Sequence, residues 1–103
     1  MILVNTEYIP GKELVLLGLV KGQSIRAKHV GRDIGNMLKN LVGGELTSYT
    51  EMMNESRAIA TKRMVEEAEG LGADAVINIR YTSSQIMQGA AEVLVYGTAV
   101  KFK

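Results

Sequence analysis

Arg32, Asp33, Arg57 and Glu92 are charged residues set among small or apolar neighbours. A charge in such a setting needs a partner, because desolvating it alone is costly. Two readings follow. In one, the four make structural ion pairs, within the chain or between copies of it. In the other, Arg32 and Arg57 hold a carboxylate or phosphate, anions whose oxygens match the guanidinium fork. The ligand site would then use Arg32, Arg57, Tyr49, Glu92 and Tyr96.

Metal chemistry has less to work with. Soft ions select thiolates and thioethers, and borderline ions favour imidazole. The chain has no cysteine and one histidine, His29, so disulfides and thiolate sites are excluded. His29 and Asp33 are four apart, but Gly31 and a change from strand to helix deny them a shared face. The six methionines are scattered and suit the filling of core gaps.

Nucleophilic hydrolysis needs a serine or threonine beside a base that a third group holds. Ser83 and Ser84 lie far along the chain from His29, outside any strand–turn–helix elbow. Glu45 and Glu92 are available as a carboxylate pair, though spacing alone does not bring them together. No dinucleotide or P-loop pattern occurs, and Gly43-Gly44-Glu45 reads as a helix end. No residue is assigned a catalytic role.

Arg26, Lys28 and Arg32 could form a basic stripe for nucleic acid. A pI near 8.0 and aromatics scattered over separate elements (Tyr8, Tyr49, Tyr81, Tyr96 and Phe102) argue against it. The net charge of +1 hides blocks: residues 1–44 carry +3, residues 45–74 carry −4, and residues 75–103 carry +2. Such blocks could steer one copy onto another or attract an anion; they equally describe a solvated acidic helix beside a mildly basic sheet. At 103 residues, 47% hydrophobic and 22% charged, the expectation is one ordinary globular domain. No stretch approaches the roughly 20 apolar residues of a membrane span, and the start lacks signal-peptide character. A cytoplasmic protein is expected.

The elements that must position these residues follow from periodicity. Ile2-Leu3-Val4 reads as an opening strand closed by Pro10-Gly11. Residues 14–20 and 24–30 read as a hairpin turning near Lys21-Gly22, with one wet face. Residues 33–42 switch to helical spacing, with Ile34, Met37, Leu38 and Leu41 on one side and Gly43-Gly44 at the end. A longer helix over residues 48–69 opens on a capping box, Ser48 with Glu51, and stops at Gly70. Residues 75–82 form a strand. A small-residue loop from Ser83 to Ala91 leads to a final strand, and this short connection implies an antiparallel hairpin. The sum is an α+β domain of two layers, an antiparallel sheet with one short and one long helix.

That final strand, residues 92–102, is apolar on both sides. Leu94, Tyr96, Val100 and Phe102 share one face, and Val93, Val95 and Ala99 the other. Strands apolar on both faces are buried on both. In so short a chain the second cover is expected from another copy.

Read in order, Leu17-Gly18-Leu19-Val20-Lys21-Gly22, Gly31-Arg32-Asp33-Ile34, Val42-Gly43-Gly44-Glu45, Tyr49-Thr50-Glu51 and Arg57 form a specific series. It continues through Ala68, Leu71-Gly72-Ala73-Asp74-Ala75-Val76, Gly89-Ala90-Ala91-Glu92 and Tyr96-Gly97-Thr98-Ala99-Val100. Over essentially its whole length the chain resembles the YbjQ-like family of small uncharacterised bacterial proteins. The resemblance implies a dodecin-like subunit layout assembled as a homo-oligomeric ring, a homopentamer. It also brings a heavy-metal-binding label without an established activity. In a ring, one residue near the axis is repeated in every copy, so His29 or Glu92 could form a ligand cluster between subunits. A flat cofactor held between subunits, as the dodecin-like layout implies, would have tyrosine but no tryptophan to stack on. The expectation is a non-catalytic module binding a small anionic or planar ligand at subunit interfaces. A structural or protein-interaction ring and a metal-binding protein are the alternatives.

Overall fold

A computed structural model describes residues 1–27, 41–42, 45–87 and 90–103, with side chains for 1–26, 49–87 and 90–103. Its elements are β1 (Ile2–Leu3), β2 (Leu14–Ala27), β3 (Leu41–Val42), β4 (Glu45–Leu46), α1 (Thr47–Gly70), β5 (Ala75–Met87) and β6 (Ala90–Phe102). The fold is α+β: a four-stranded sheet in the order β1-β5-β6-β2 with α1 across one face, and a two-stranded β3-β4 pair.

After an irregularity between Leu16 and Gly18, alternation in β2 runs unbroken from Leu19 to Ile25. Val20, Gly22 and Ser24 are buried, while Leu19, Lys21, Gln23 and Ile25 are exposed. The hairpin expected to turn at Lys21-Gly22 is therefore one long strand. Gly22 owes its identity to packing: a Cβ there would collide with the backbone of Ala60 and Met64 in α1. The glycine lets helix and strand approach closely, and it punctuates nothing. Residues 28–30, the end of the expected second strand, lie outside the described residues.

Two further expectations change in the same way. Ser83 and Ser84 belong to β5, which continues to Met87 in register with β6. Small polar residues there mark an exposed strand, since residues 80–87 are all exposed. Leu41 and Val42 pair antiparallel with Leu46 and Glu45, so the short helix does not extend over them; residues 33–40 lie outside the described residues. The sheet is mixed, because β1 runs parallel to β5.

The long helix is as expected, with Met52, Met53, Ser56, Ala60, Met64 and Ala68 turned inward. Full burial of a side chain such as Met64 is worth about 1.5–3 kcal/mol. Ser48's side chain, half of the expected capping box, lies outside the described ones. At the other end, Ala73 N–H bonds to Ala68 O and Gly72 N–H to Glu69 O, with Gly72 at φ +76°. This paired closure needs a left-handed residue, and Gly72, not Gly70, supplies it.

Two cores result, one on each face of the sheet. Between sheet and helix lie Val20, Met64, Val76, Val93, Val95 and Ala99. On the opposite face, Ala75, Ile77 and Val100 are covered by Val4, Ile9, Leu14 and Phe102. The second cover of the final strand at this end thus comes from the chain's own N-terminal segment, not from another copy. Nearer the other end of β6, that face is open: Tyr96 is 39% exposed and Leu94 half-buried.

Candidate functional site

The structure divides the expected site residues between layers. Tyr49 and Arg57 stand on α1, both exposed, and Arg57 Nη1 donates to Asn54 Oδ1 at 2.9 Å, one turn back. Glu92 and Tyr96 alternate with Val93 and Val95, the residues that face the helix, so they occupy the opposite face of the sheet. The sheet stands between the two pairs, and a single chain does not bring them together. Arg32, Asp33 and His29 lie outside the described residues, as does the side chain of Glu45. Of the expected basic stripe, Arg26 is paired with Glu55 at 2.9 Å, and Lys28 and Arg32 lie outside.

Register assembles a different group. Tyr96 is opposite Lys21 of β2 on one side and Arg80 of β5 on the other. All three are exposed, so a cation flanks the ring on each neighbouring strand, at the roughly 5 Å spacing of cross-strand pairs. Lys21 Nζ and Tyr96 OH have no hydrogen-bond or ion-pair partner among the described residues. Arg80 Nη1 donates to Asn5 O and to Ile79 O, each at 3.0 Å, which holds one tip of the guanidinium against the backbone and leaves its other N–H groups to donate elsewhere. The adjacent rows are Thr82–Leu94–Gln23 on one side and Ile77–Thr98–Leu19 on the other. The arrangement can hold an anion with an apolar or planar body. Glu92 lies two rows from Tyr96, between Ser84 and Ile25.

The backbone beside this row is irregular. Between Ile77 and Arg80, β5 carries one more residue than β6 opposite it, and Asn78 adopts φ +54°. Such a bulge re-aims the side chains that follow. Gly97 sits under it, where a Cβ would come within 2.9 Å of Ile77 O. Asn78 N–H and Ile79 N–H bond to Thr6 O and Val4 O, so the N-terminal segment tracks β5 as far as the bulge. There a shallow groove of about 270 Å³ opens, lined by Leu3, Val4, Asn5, Ile79 and Tyr81. Tyr81 OH is 2.7 Å from Thr61 Oγ1, which in turn donates to Arg57 O.

Lys21 and Arg80 were missed from sequence because each belongs to a different strand from Tyr96. Only the pairing register unites them. The unbroken alternation of residues 19–25 was the available signal, and reading Gly22 as a turn concealed it.

Within one chain, no three His, Cys, Asp or Glu side chains converge among the described residues, and Met52, Met53 and Met64 are buried in the core. Among the described residues no helix is long and apolar enough to cross a membrane.

A family model described as "Putative heavy-metal-binding" matches residues 1–103. A UPF0145 protein of Alkaliphilus metalliredigens is 69% identical over 99% of this chain and 99% of its own length. A UPF0145 protein of Archaeoglobus fulgidus is 54% identical over 100% of this chain and 96% of its own, so the relatives include archaeal as well as bacterial proteins. A crystal structure of a protein of unknown function from Pediococcus pentosaceus, assigned to the DUF74 family, superposes with a TM-score of 0.75. It is 16% identical and covers 100% of this chain and 98% of that one; at that identity the likeness concerns the fold alone. With a whole-length family match and relatives this close, the chain belongs to the YbjQ family, whose members here are named UPF0145 proteins.

Proposed function

We propose that this chain is a non-catalytic cytoplasmic subunit that assembles with copies of itself, as the pentamer implied by its resemblance, and holds a small anionic or planar ligand where copies meet. The observation that carries the reading is the row Lys21–Tyr96–Arg80, two cations flanking an exposed ring on an otherwise uncharged stretch of sheet face. Positive charge with no acidic partner attracts an anion, and a tyrosine face accepts a flat body. Arg57, Tyr49 and Glu92 belong to the site only if a second copy presents its helix layer to this face. Arg32 is the further cation the reading retains.

A native mass spectrum of untagged protein, purified without denaturation, tests it. The expected result is a multiple of the chain mass carrying a stoichiometric adduct, with the adduct lost in Lys21→Ala and in Tyr96→Ala while the multiple remains. Arg57→Ala should also lose it if the helix layer contributes. An adduct unchanged in all three variants would refute the assignment. A multimer without adduct would favour the second reading, an assembly with no small-molecule site, which the exposed leucines of the same face (Leu16 at 70% and Leu19 at 71%) support.

A further inference from the structure

A hydroxyl has one proton to give, so in a row of hydroxyls the direction of one bond fixes the next. Thr61 Oγ1 donates to Arg57 O at 2.7 Å. At the 2.7 Å contact between Thr61 Oγ1 and Tyr81 OH either oxygen could donate, but Thr61 has already committed its proton. Tyr81 therefore donates to Thr61, and its own oxygen keeps only acceptor capacity. Among the described residues no other donor reaches that oxygen.

Tyr81 is also one wall of the groove of about 270 Å³ beside the bulge. The other lining residues among those described are Leu3, Val4, Asn5 and Ile79. Ile79 is 8% exposed and belongs to the core between sheet and helix, so this part of the groove is fixed by packing. Val4 N–H bonds to Val76 O and Ile79 N–H to Val4 O, which ties the facing wall to β5. Leu3 is 40% exposed, an apolar side chain with much of its surface in water. The Asn5 carboxamide has no partner among the described residues, its backbone carbonyl alone being taken by Arg80.

Size, charge and polarity together limit the occupant. A cavity of about 150 Å³ takes a benzene ring, so this groove has room for a substituted ring. None of the lining residues is charged, which disfavours an ion stripped of its water. Leu3, Val4 and Ile79 favour an apolar body. The acceptor on Tyr81 calls for an N–H or O–H on that body.

We propose that the groove is a second ligand site, for a small neutral aromatic molecule bearing a hydrogen-bond donor that Tyr81 Oη accepts. It goes beyond the function proposed above, because it lies within one chain and shares no lining residue with the Lys21–Tyr96–Arg80 row. Thr61 is a positioning residue: by holding the phenolic proton it makes Tyr81 select donors.

Methyl NMR of the full-length protein, labelled at Ile, Leu and Val, tests this with phenol and anisole. The two probes have similar bodies, but only phenol can donate. Phenol is expected to shift the Leu3, Val4 and Ile79 methyls saturably and to bind about three- to tenfold more tightly than anisole. Tyr81→Phe should bring the two affinities together. Thr61→Val releases the Tyr81 proton and should narrow or reverse the preference, an effect that loss of packing alone would not produce. Leu3→Trp should fill the groove and abolish both titrations. Equal affinities in the parent protein, a preference unchanged in Thr61→Val, or no saturable shift at Leu3 and Ile79 would each overturn the proposal. Shifts confined to Leu19 and Leu94 would place the aromatic beside Tyr96, overturning this site while supporting the earlier one. The native-mass adduct reads the earlier proposal separately, so either can fail alone.

Discussion

The β5-β6 hairpin is finished differently at its two ends. Near Ala75 and Val100, α1 covers one face and the segment from Val4 to Leu14 covers the other, so both residues are fully buried. Past the bulge, α1 still covers Val93 and Val95, yet residues 80–87 are exposed on both faces and along their edge. The same two strands are closed by their own chain at one end and left open at the other. The closed end has the properties of a folding core, with alternating aliphatic residues covered on both faces. The open end has those of a binding surface, with hydroxyls, Lys21 and Arg80 on either side of Tyr96, and exposed Ile25, Ile86 and Met87.

Substitutions can break or sharpen this contrast. The largest effect is expected at Gly22, where any Cβ meets helix backbone that cannot shift cheaply. Gly22→Val should cost about 4 kcal/mol or unfold the chain, read as a fall in the urea midpoint. A matched pair compares the two ends directly. Val100→Ala should cost about 2 kcal/mol through the lost burial and the cavity left behind. Ile25→Ala, exposed at the open end opposite Glu92, should cost under about 0.5 kcal/mol in chains dilute enough to be single. An equal loss in both would erase the distinction between the ends; an Ile25→Ala cost that grows with protein concentration would sharpen it.

A smaller effect of opposite sign is expected within the closed face. Ser56 Oγ is buried without a hydrogen-bond partner, and such a group carries its desolvation penalty uncompensated. Ser56→Ala should raise stability by about 1 kcal/mol, seen as a higher urea midpoint at unchanged slope. A decrease would mean that the hydroxyl has a partner in solution. Smallest of all is Tyr81→Phe, which removes the bond to Thr61 at 2.7 Å. Tyr81 is half exposed, so the loss should be about 0.5 kcal/mol.

How much of this was legible in the sequence depended on whether the cause was local. The long helix could be read because its apolar spacing and glycine ending lie within the segment itself. The antiparallel β5-β6 hairpin followed from two apolar runs with a short connection. Gly22 misled because its role comes from Ala60 and Met64, far along the chain, while its immediate neighbours resemble a turn. Ser83 and Ser84 misled because strand residues exposed on both faces carry no alternation to betray them. The apolar outer face of β6 was noticed, but its cover at Val100 proved to be the distant N-terminal segment. The candidate site was the least legible: Tyr96 was singled out, yet Lys21 and Arg80 become its neighbours only through a register shaped by the bulge at Asn78.

Amide hydrogen exchange along residues 80–87 tests the central claim, that copies meet at the open end. At concentrations where copies associate, the outward amides of this stretch should exchange as slowly as those of the central strand β6 and speed up on dilution. Fast exchange at every concentration, beside a protected β6, would show a permanently free edge and contradict the account.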